Sequence, residues 1–132
     1  MTMYNARHRS REIAFQMLYA SELRDTPDIH TYFKHFQTVD ELQEFAAFLV
    51  NGVRDHKKEL DEAIEKAADN WRISRMSAVD RCILRLSAFE ALFSTLPIAV
   101  IIDESVELAH TFGTKESSAF VHGILHTLNE TK

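Results

Sequence analysis

An amphipathic pattern is clearest in SAVDRCILRLSAFEALF, residues 77–93. Its apolar side chains recur every three or four residues, which places them on one face of an α-helix. Ser77 is followed three residues later by Asp80, a pair that resembles the capping box at the start of a helix. The segment therefore predicts a helix that opens at Ser77. The residues expected on its core-facing stripe are Val79, Ile83, Leu86, Phe89, Leu92 and Phe93.

The same helical spacing recurs on both sides of this segment. Further helices are predicted over residues 6–23, 28–36, 40–53, 56–70, 97–112 and from 114 onwards. Pro97 is expected at the entrance of the sixth helix, Gly113 at its end, and Thr114 as the cap of the seventh. Only three glycines and two prolines occur, too few for the turns of an all-β domain. The predicted fold class is all-α, a compact bundle of about seven helices forming a single domain over residues 1–132.

Two of the other helices carry further predicted core residues. The first is expected to bury Ile13, Ala14, Met17 and Leu18, with Ser21 on or near the same side. The third carries the apolar residues Leu42, Phe45, Ala46, Leu49, Val50 and Val53.

The amino-acid composition limits the classes of protein to which this chain can belong. The chain has 132 residues, of which 45% are hydrophobic and 27% charged, the balance of an ordinary soluble globular protein. Its single cysteine, Cys82, cannot form an intramolecular disulfide, which suits a reducing compartment. No apolar run approaches the roughly 18 residues of a spanning helix, so no membrane partner is expected. We predict a cytoplasmic location.

Charge is distributed unevenly along the chain. The net charge is −5, yet residues 1–11 hold three arginines and no acidic residue. The other 121 residues hold 12 Lys and Arg against 20 Asp and Glu, a balance of −8. An acidic body with a basic N-terminal end is an asymmetry that the function of the protein has to explain.

Motifs for catalysis are missing from the sequence. It contains no Gly-rich phosphate loop, no GxSxG elbow and no HExxH pair. His122 and His126 stand one helical turn apart, a spacing that metals use, but no cysteine partners them. Asp103 and Glu107 are also one turn apart, and acidic residues early in a helix complement its dipole. We therefore expect no enzyme activity, no cofactor and no metal.

The basic residues offer a better candidate for function. Arg7 and Arg11 are spaced to share one side of a helix, and the planar guanidinium suits phosphate because it gives two parallel hydrogen bonds. A second basic group, which acidic neighbours could neutralise in ordinary surface pairs, comprises Arg72, Arg75, Arg81 and Arg85. By themselves these residues leave two classes open, an RNA-binding protein and a helical adaptor that binds only protein.

Several ordered segments resemble a known family. RHRSREIAFQMLY at 7–19 looks like the Arg-rich opening of the NusB transcription antitermination family, and VDRCILRL at 79–86 resembles its VDRAILRL stretch. NGV at 51–53, IIDESVELA at 101–109, FGT at 112–114 and FVHGIL at 120–125 are similar to further family segments in the same order. The resemblance runs from Arg7 to about Leu128.

This resemblance implies a non-enzymatic role in transcription and an all-helical fold. NusB proteins pair with the ribosomal protein NusE, and the pair binds single-stranded boxA RNA in nascent transcripts. With NusA and NusG they help RNA polymerase read through terminators, chiefly in ribosomal RNA operons. Some members form homodimers, and the residues here leave both a monomer and a homodimer open.

The resemblance also assigns expected contact residues by position. The residues expected to bind RNA are Arg7, His8, Arg9, Arg11, Tyr19, Arg85, Glu116, Ser117 and Ser118. Asp80 and Tyr19 match positions expected to face the basic partner NusE. Asp103 and His122 depart from the family, which has asparagine at both positions.

Two other interpretations remain at this point. A NusB-like domain also begins a ribosomal RNA cytosine methyltransferase, which would require a long catalytic domain downstream of a fragment like this one. A helical adaptor that binds protein and no RNA is the second. Replacing the three N-terminal arginines with alanine separates it from an RNA binder, because only the binder would lose RNA affinity and salt dependence.

Overall fold

A computed structural model describes residues 3–23 and 40–132, with side chains described over 6–22 and 42–132. Within these ranges the chain is helical and contains no β-strand. The helices are α1 (Met3–Leu23), α2 (Asp40–Asp55), α3 (Lys57–Ala67), a short 3-10 helix (Ile73–Arg75), α4 (Ala78–Phe93), α5 (Ile98–Phe112) and α6 (Ser117–Thr131). The all-α prediction is confirmed, with six α-helices in the described part. The helix predicted over 28–36 lies outside the described residues.

The chain divides into two compact units, Met1–Gly52 and Val53–Lys132, with the boundary inside α2. A single domain over residues 1–132 stays a prediction. No helix in the described part of the chain is long and apolar enough to cross a membrane.

The first unit packs α1 against α2. The predicted buried residues of α1 are confirmed, and Phe15 is buried beside them. The described hydrophobic residues buried in this unit are Ile13, Ala14, Phe15, Met17, Leu18, Leu42, Ala46, Leu49 and Val50. Ser10 ties the two helices together, because its buried hydroxyl lies 3.1 Å from the carbonyl oxygen of Leu42 and 3.0 Å from that of Ala6.

The second unit surrounds α4. Helices α3, α5 and α6 all contact it, and every residue from Cys82 to Ala91 is buried. A helix that is buried around its whole circumference does not need a single apolar stripe. The stripe predicted for this helix is therefore wrong at its C-terminal end, where Phe93 is 42% exposed and stacks on His56 with ring centroids 4.2 Å apart.

Local chemistry explains where these helices begin and end. The Ser77 hydroxyl accepts a hydrogen bond of 3.1 Å from the Asp80 backbone N–H, as the capping pattern predicted. Pro97 and Gly113 flank α5 as expected. The cap predicted at Thr114 is wrong, because α6 follows Glu116 and the Thr114 N–H instead donates to the Ser117 hydroxyl at 3.0 Å.

The turn from α5 to α6 requires a residue without a side chain. A Cβ added at Gly113 would lie 2.5 Å from the Ser117 hydroxyl oxygen and 2.8 Å from the Ala109 carbonyl oxygen, closer than packed atoms tolerate. At Gly123, in the middle of α6, no described atom outside the adjoining helix backbone lies within 4 Å of the same position.

We expect Gly113→Ala to lower the free energy of unfolding by about 1–3 kcal/mol, since overpacking forces neighbouring atoms to shift. Gly123→Ala, the matched control, should raise it by about 0.5–1 kcal/mol, because alanine is the better helix former. Urea unfolding of both variants measures the difference. Equal effects of the two substitutions would contradict the steric argument.

Candidate nucleic-acid interface

The three arginines of α1 occupy different environments. Arg7 is exposed, and its guanidinium carbon lies 3.9 Å from the centroid of the Phe45 ring. Arg9 has 43% of its side chain exposed and lies 3.5 Å from the Glu12 carboxylate. Arg11 is only 5% exposed, with its guanidinium carbon 5.4 Å from the same Phe45 ring. Residues four apart share a helix side, so Arg7 and Arg11 both face α2.

Solvent exposure separates the roles of these cations. Arg7 and Arg9 present charge to solvent, where a phosphate can reach them. Arg11 packs over an aromatic ring inside the unit, where a cation is attracted by the negative face of that ring. In this arrangement Arg11 stabilises the α1–α2 contact, and its predicted RNA contact has no geometric support.

The other predicted residues of α1 are His8 and Tyr19. Both are half-buried, and the Tyr19 ring stacks on Phe15 with centroids 6.0 Å apart and an interplanar angle of 14°. Tyr19 stands 12 residues after Arg7, which at a rise of 1.5 Å per residue is about 18 Å along the helix. One nucleotide cannot contact Tyr19 and Arg7 together.

An aromatic cavity opens between α1 and α2 in the first unit. Its volume is about 530 Å³, and its lining includes Arg7, Ser10, Leu42, Glu44, Phe45 and Phe48. Phe48 is 54% exposed, and its ring lies 6.2 Å from that of Phe45 at an interplanar angle of 20°. The sequence interpretation treated Phe45 as core and did not single out Phe48. The i, i+3 spacing of the two rings was the available signal.

Arg85 is buried in the second unit and is paired with a carboxylate. It is 8% exposed, and it donates two hydrogen bonds to the Asp61 carboxylate, from Nε to Oδ1 at 2.8 Å and from Nη2 to Oδ2 at 3.1 Å. This forked pair joins α4 to α3. Such an arrangement neutralises a buried cation and gives Arg85 a structural role, so its predicted RNA contact gains no support from the geometry.

Asp80 lies in the first turn of α4, where a negative charge complements the helix dipole. One of its carboxylate oxygens, Oδ1, is buried and has no hydrogen-bond partner among the described residues. A buried oxygen without a partner is costly to the folded state.

The three predicted residues at the start of α6 also differ in their solvent exposure. Glu116 is exposed, and its carboxylate accepts a hydrogen bond of 3.3 Å from the Thr114 hydroxyl. Ser117 is buried within the turn, whereas Ser118 is half-buried. Of the three, Glu116 is the residue best presented to a ligand.

The predicted site residues thus fall into two sets. Arg7, His8, Arg9, Arg11 and Tyr19 share α1 in the first unit. The second unit holds the remaining predicted residues, Asp80, Arg85, Glu116, Ser117 and Ser118.

Residues 8–130 match the sequence profile of the NusB family. This chain belongs to the NusB family. The transcription antitermination protein NusB of Anaeromyxobacter dehalogenans is 42% identical over 128 residues, which span 93% of this chain and 89% of that protein. Family membership makes the chain a transcription antitermination factor rather than an enzyme.

Two solved NusB structures share the fold. NusB from T. maritima superposes with a TM-score of 0.84 at 32% identity, covering 94% of this chain and 90% of that one. A crystal structure of the antitermination factors NusB and NusE in complex with dsRNA gives a TM-score of 0.85 at 28% identity, covering 98% of this chain and 100% of that one.

The histidine pair of this NusB family member lies on the surface of α6. His122 and His126 are exposed, and the His126 Nδ1 atom lies 3.2 Å from the Glu130 carboxylate. No group of three His, Cys, Asp or Glu side chains that could hold a metal occurs in the described residues.

Arg85→Lys tests the structural role of the buried pair. Lysine keeps the charge but cannot donate the two parallel hydrogen bonds of the guanidinium group. We therefore expect the free energy of unfolding to fall by about 1–3 kcal/mol and the RNA affinity of the folded variant to stay unchanged. Arg75→Lys, at an exposed arginine of the 3-10 helix, is the control and should leave both quantities unchanged. Intact stability with a loss of RNA affinity would instead make Arg85 an RNA contact.

Proposed function

We propose that this protein acts in antitermination by binding the boxA element of nascent ribosomal RNA transcripts in complex with NusE. In this proposal NusA, NusG and RNA polymerase complete the complex, which works in the cytoplasm. The observation that carries the proposal is the pair of solvent-accessible arginines, Arg7 and Arg9, on α1 of a NusB family member.

The distribution of charge favours RNA binding by the complex with NusE over RNA binding by this protein alone. Two accessible arginines give few phosphate contacts, and the net charge of −5 opposes RNA binding elsewhere. A basic ribosomal protein docked on acidic residues would lower that repulsion and enlarge the positively charged surface that contacts RNA. Weak RNA binding by the protein alone and tighter binding with NusE follow from this balance.

The proposal concerns single-stranded RNA. Unpaired bases can be splayed out and stacked on aromatic rings or guanidinium planes, whereas the bases of a duplex are hidden in a deep, narrow groove. The related NusB and NusE structure contains dsRNA. A binding test therefore needs both forms of RNA, together with a scrambled single strand.

The paired substitution Arg7→Ala/Arg9→Ala tests the RNA surface. Each phosphate contact to a single strand contributes about 0.7 to the slope of log affinity against log salt, so two lost contacts should lower the slope by about 1.4. Fluorescence anisotropy of labelled boxA RNA with NusE present measures the change. The charge-matched control is Arg72→Ala/Arg75→Ala, which removes two exposed arginines of the second unit.

The outcomes of that titration separate the alternatives. A slope that falls only in the α1 variant supports the proposal. Equal losses in both variants would indicate nonspecific attraction to net charge. If the unaltered protein binds boxA and scrambled RNA alike, even with NusE, the RNA function fails and a protein-binding adaptor remains.

Asp80→Asn tests the surface proposed for NusE. Removing the charge of this half-buried carboxylate should weaken NusE binding about tenfold, or about 1.4 kcal/mol, because the partner's cation loses its counter-charge. Asp103→Asn, at an exposed carboxylate of α5, is the control. Calorimetric titration without RNA measures both, and an unchanged affinity for Asp80→Asn would move the docking surface elsewhere.

Self-association of this protein stays a prediction. A homodimer that covers α1 would compete with RNA for Arg7 and Arg9, so the anisotropy titration should be run over a range of protein concentrations. RNA affinity that falls as protein concentration rises would support such a dimer.

A further inference from the structure

The cavity of the first unit combines features that phosphate binding does not need. Phosphate is bound by cations and by N–H and O–H donors. This cavity is lined in addition by an exposed aromatic ring, Phe48, stacked on a second ring, Phe45. Leu49 and Val50, the next residues of α2, are fully buried. Phe48, by contrast, is 54% exposed.

The surroundings of these rings are held in place before any ligand arrives. The Ser10 hydroxyl contacts the Leu42 carbonyl oxygen and so sets α1 against α2 at this level. The Arg7 guanidinium carbon already lies over the Phe45 ring at 3.9 Å, while the side chain remains exposed. A ligand that enters here meets a cation already placed over an aromatic ring, an arrangement that lowers the entropy cost of binding.

We propose that this cavity binds one unstacked RNA base, which stacks on Phe48 while Arg7 contacts the adjoining phosphate. The inference rests on the proposed RNA function and adds a base-binding subsite to it. Base stacking on an aromatic side chain is a general way in which proteins hold single strands. The volume of about 530 Å³ lies within the usual range of about 300–1,000 Å³ for small-molecule pockets.

Charge around the cavity orients the nucleotide. Glu44 lies on the lining and is exposed, so it repels a phosphate and accepts hydrogen bonds from an exocyclic amino group. Arg7 attracts the phosphate on its own side. Adenine, cytosine and guanine carry such an amino group and uracil does not, so the subsite should prefer one of the first three.

The test uses the full chain with NusE and labelled boxA RNA. We expect Phe48→Leu to weaken binding about tenfold, because leucine keeps the apolar contact but loses the aromatic face. The salt slope should stay unchanged, since no phosphate contact is lost. Phe48→Tyr should retain affinity. The matched control is Phe93→Leu, which removes an exposed ring from the second unit.

A scan with abasic nucleotides identifies the bound base. Each boxA position is replaced in turn by an abasic residue and titrated with the unaltered protein and with Phe48→Leu. At the position that enters the cavity, the abasic RNA should lose about tenfold affinity for the unaltered protein and nothing further for the variant. An amino-bearing base is expected there.

Each other outcome overturns the inference. Full affinity of Phe48→Leu for boxA, in a protein whose binding still depends on Arg7 and Arg9, removes the subsite and leaves the proposed function intact. The subsite is also removed if, at every boxA position, the loss of affinity from the abasic residue adds to the loss from Phe48→Leu. Weaker NusE binding by Phe48→Leu without RNA would assign the cavity to a protein segment. Absence of boxA binding by the unaltered protein ends both the proposed function and the subsite.

Discussion

Burial of α4 around its whole circumference is the constraint on which the second unit depends. Residues from Cys82 to Ala91 are all buried, and α3, α5 and α6 all contact this helix. Arg85 lies within this run, and its charge is tolerated because the Asp61 carboxylate meets it with two hydrogen bonds. The same packing leaves the first turn of α4, with the half-buried Asp80, at the edge of the buried run.

In the first unit two arginines of α1 lie over the same aromatic ring but differ in solvent exposure. Phe45 lies beneath both Arg7 and Arg11, but only Arg7 remains exposed. One arginine is thereby used for packing while another keeps its donors in solvent beside an open cavity. The unit thus joins a cation to an aromatic surface, a combination suited to a phosphate and its base.

Helical spacing was sufficient to predict the all-α class, the buried side of α1 and the cap at Ser77, because these features depend on neighbours within a few residues. The same spacing misplaced Phe93, since periodicity describes one face and α4 has neighbours on several. Resemblance to family motifs grouped Arg7, Arg9 and Arg11 as RNA contacts. It does not report exposure, which separates Arg11 from the other two.

The sequence alone determined the family, the helical class and the concentration of positive charge in residues 1–11, because motifs, periodicity and charge are properties of the chain itself. Only the tertiary structure decided that Arg11 and Arg85 are buried and that Phe48 is exposed beside Phe45 and Arg7. It also decided that a buried oxygen of Asp80 has no hydrogen-bond partner within the described ranges. Burial and pairing depend on residues far apart in sequence, such as Asp61 and Arg85, whose proximity is set by how helices pack.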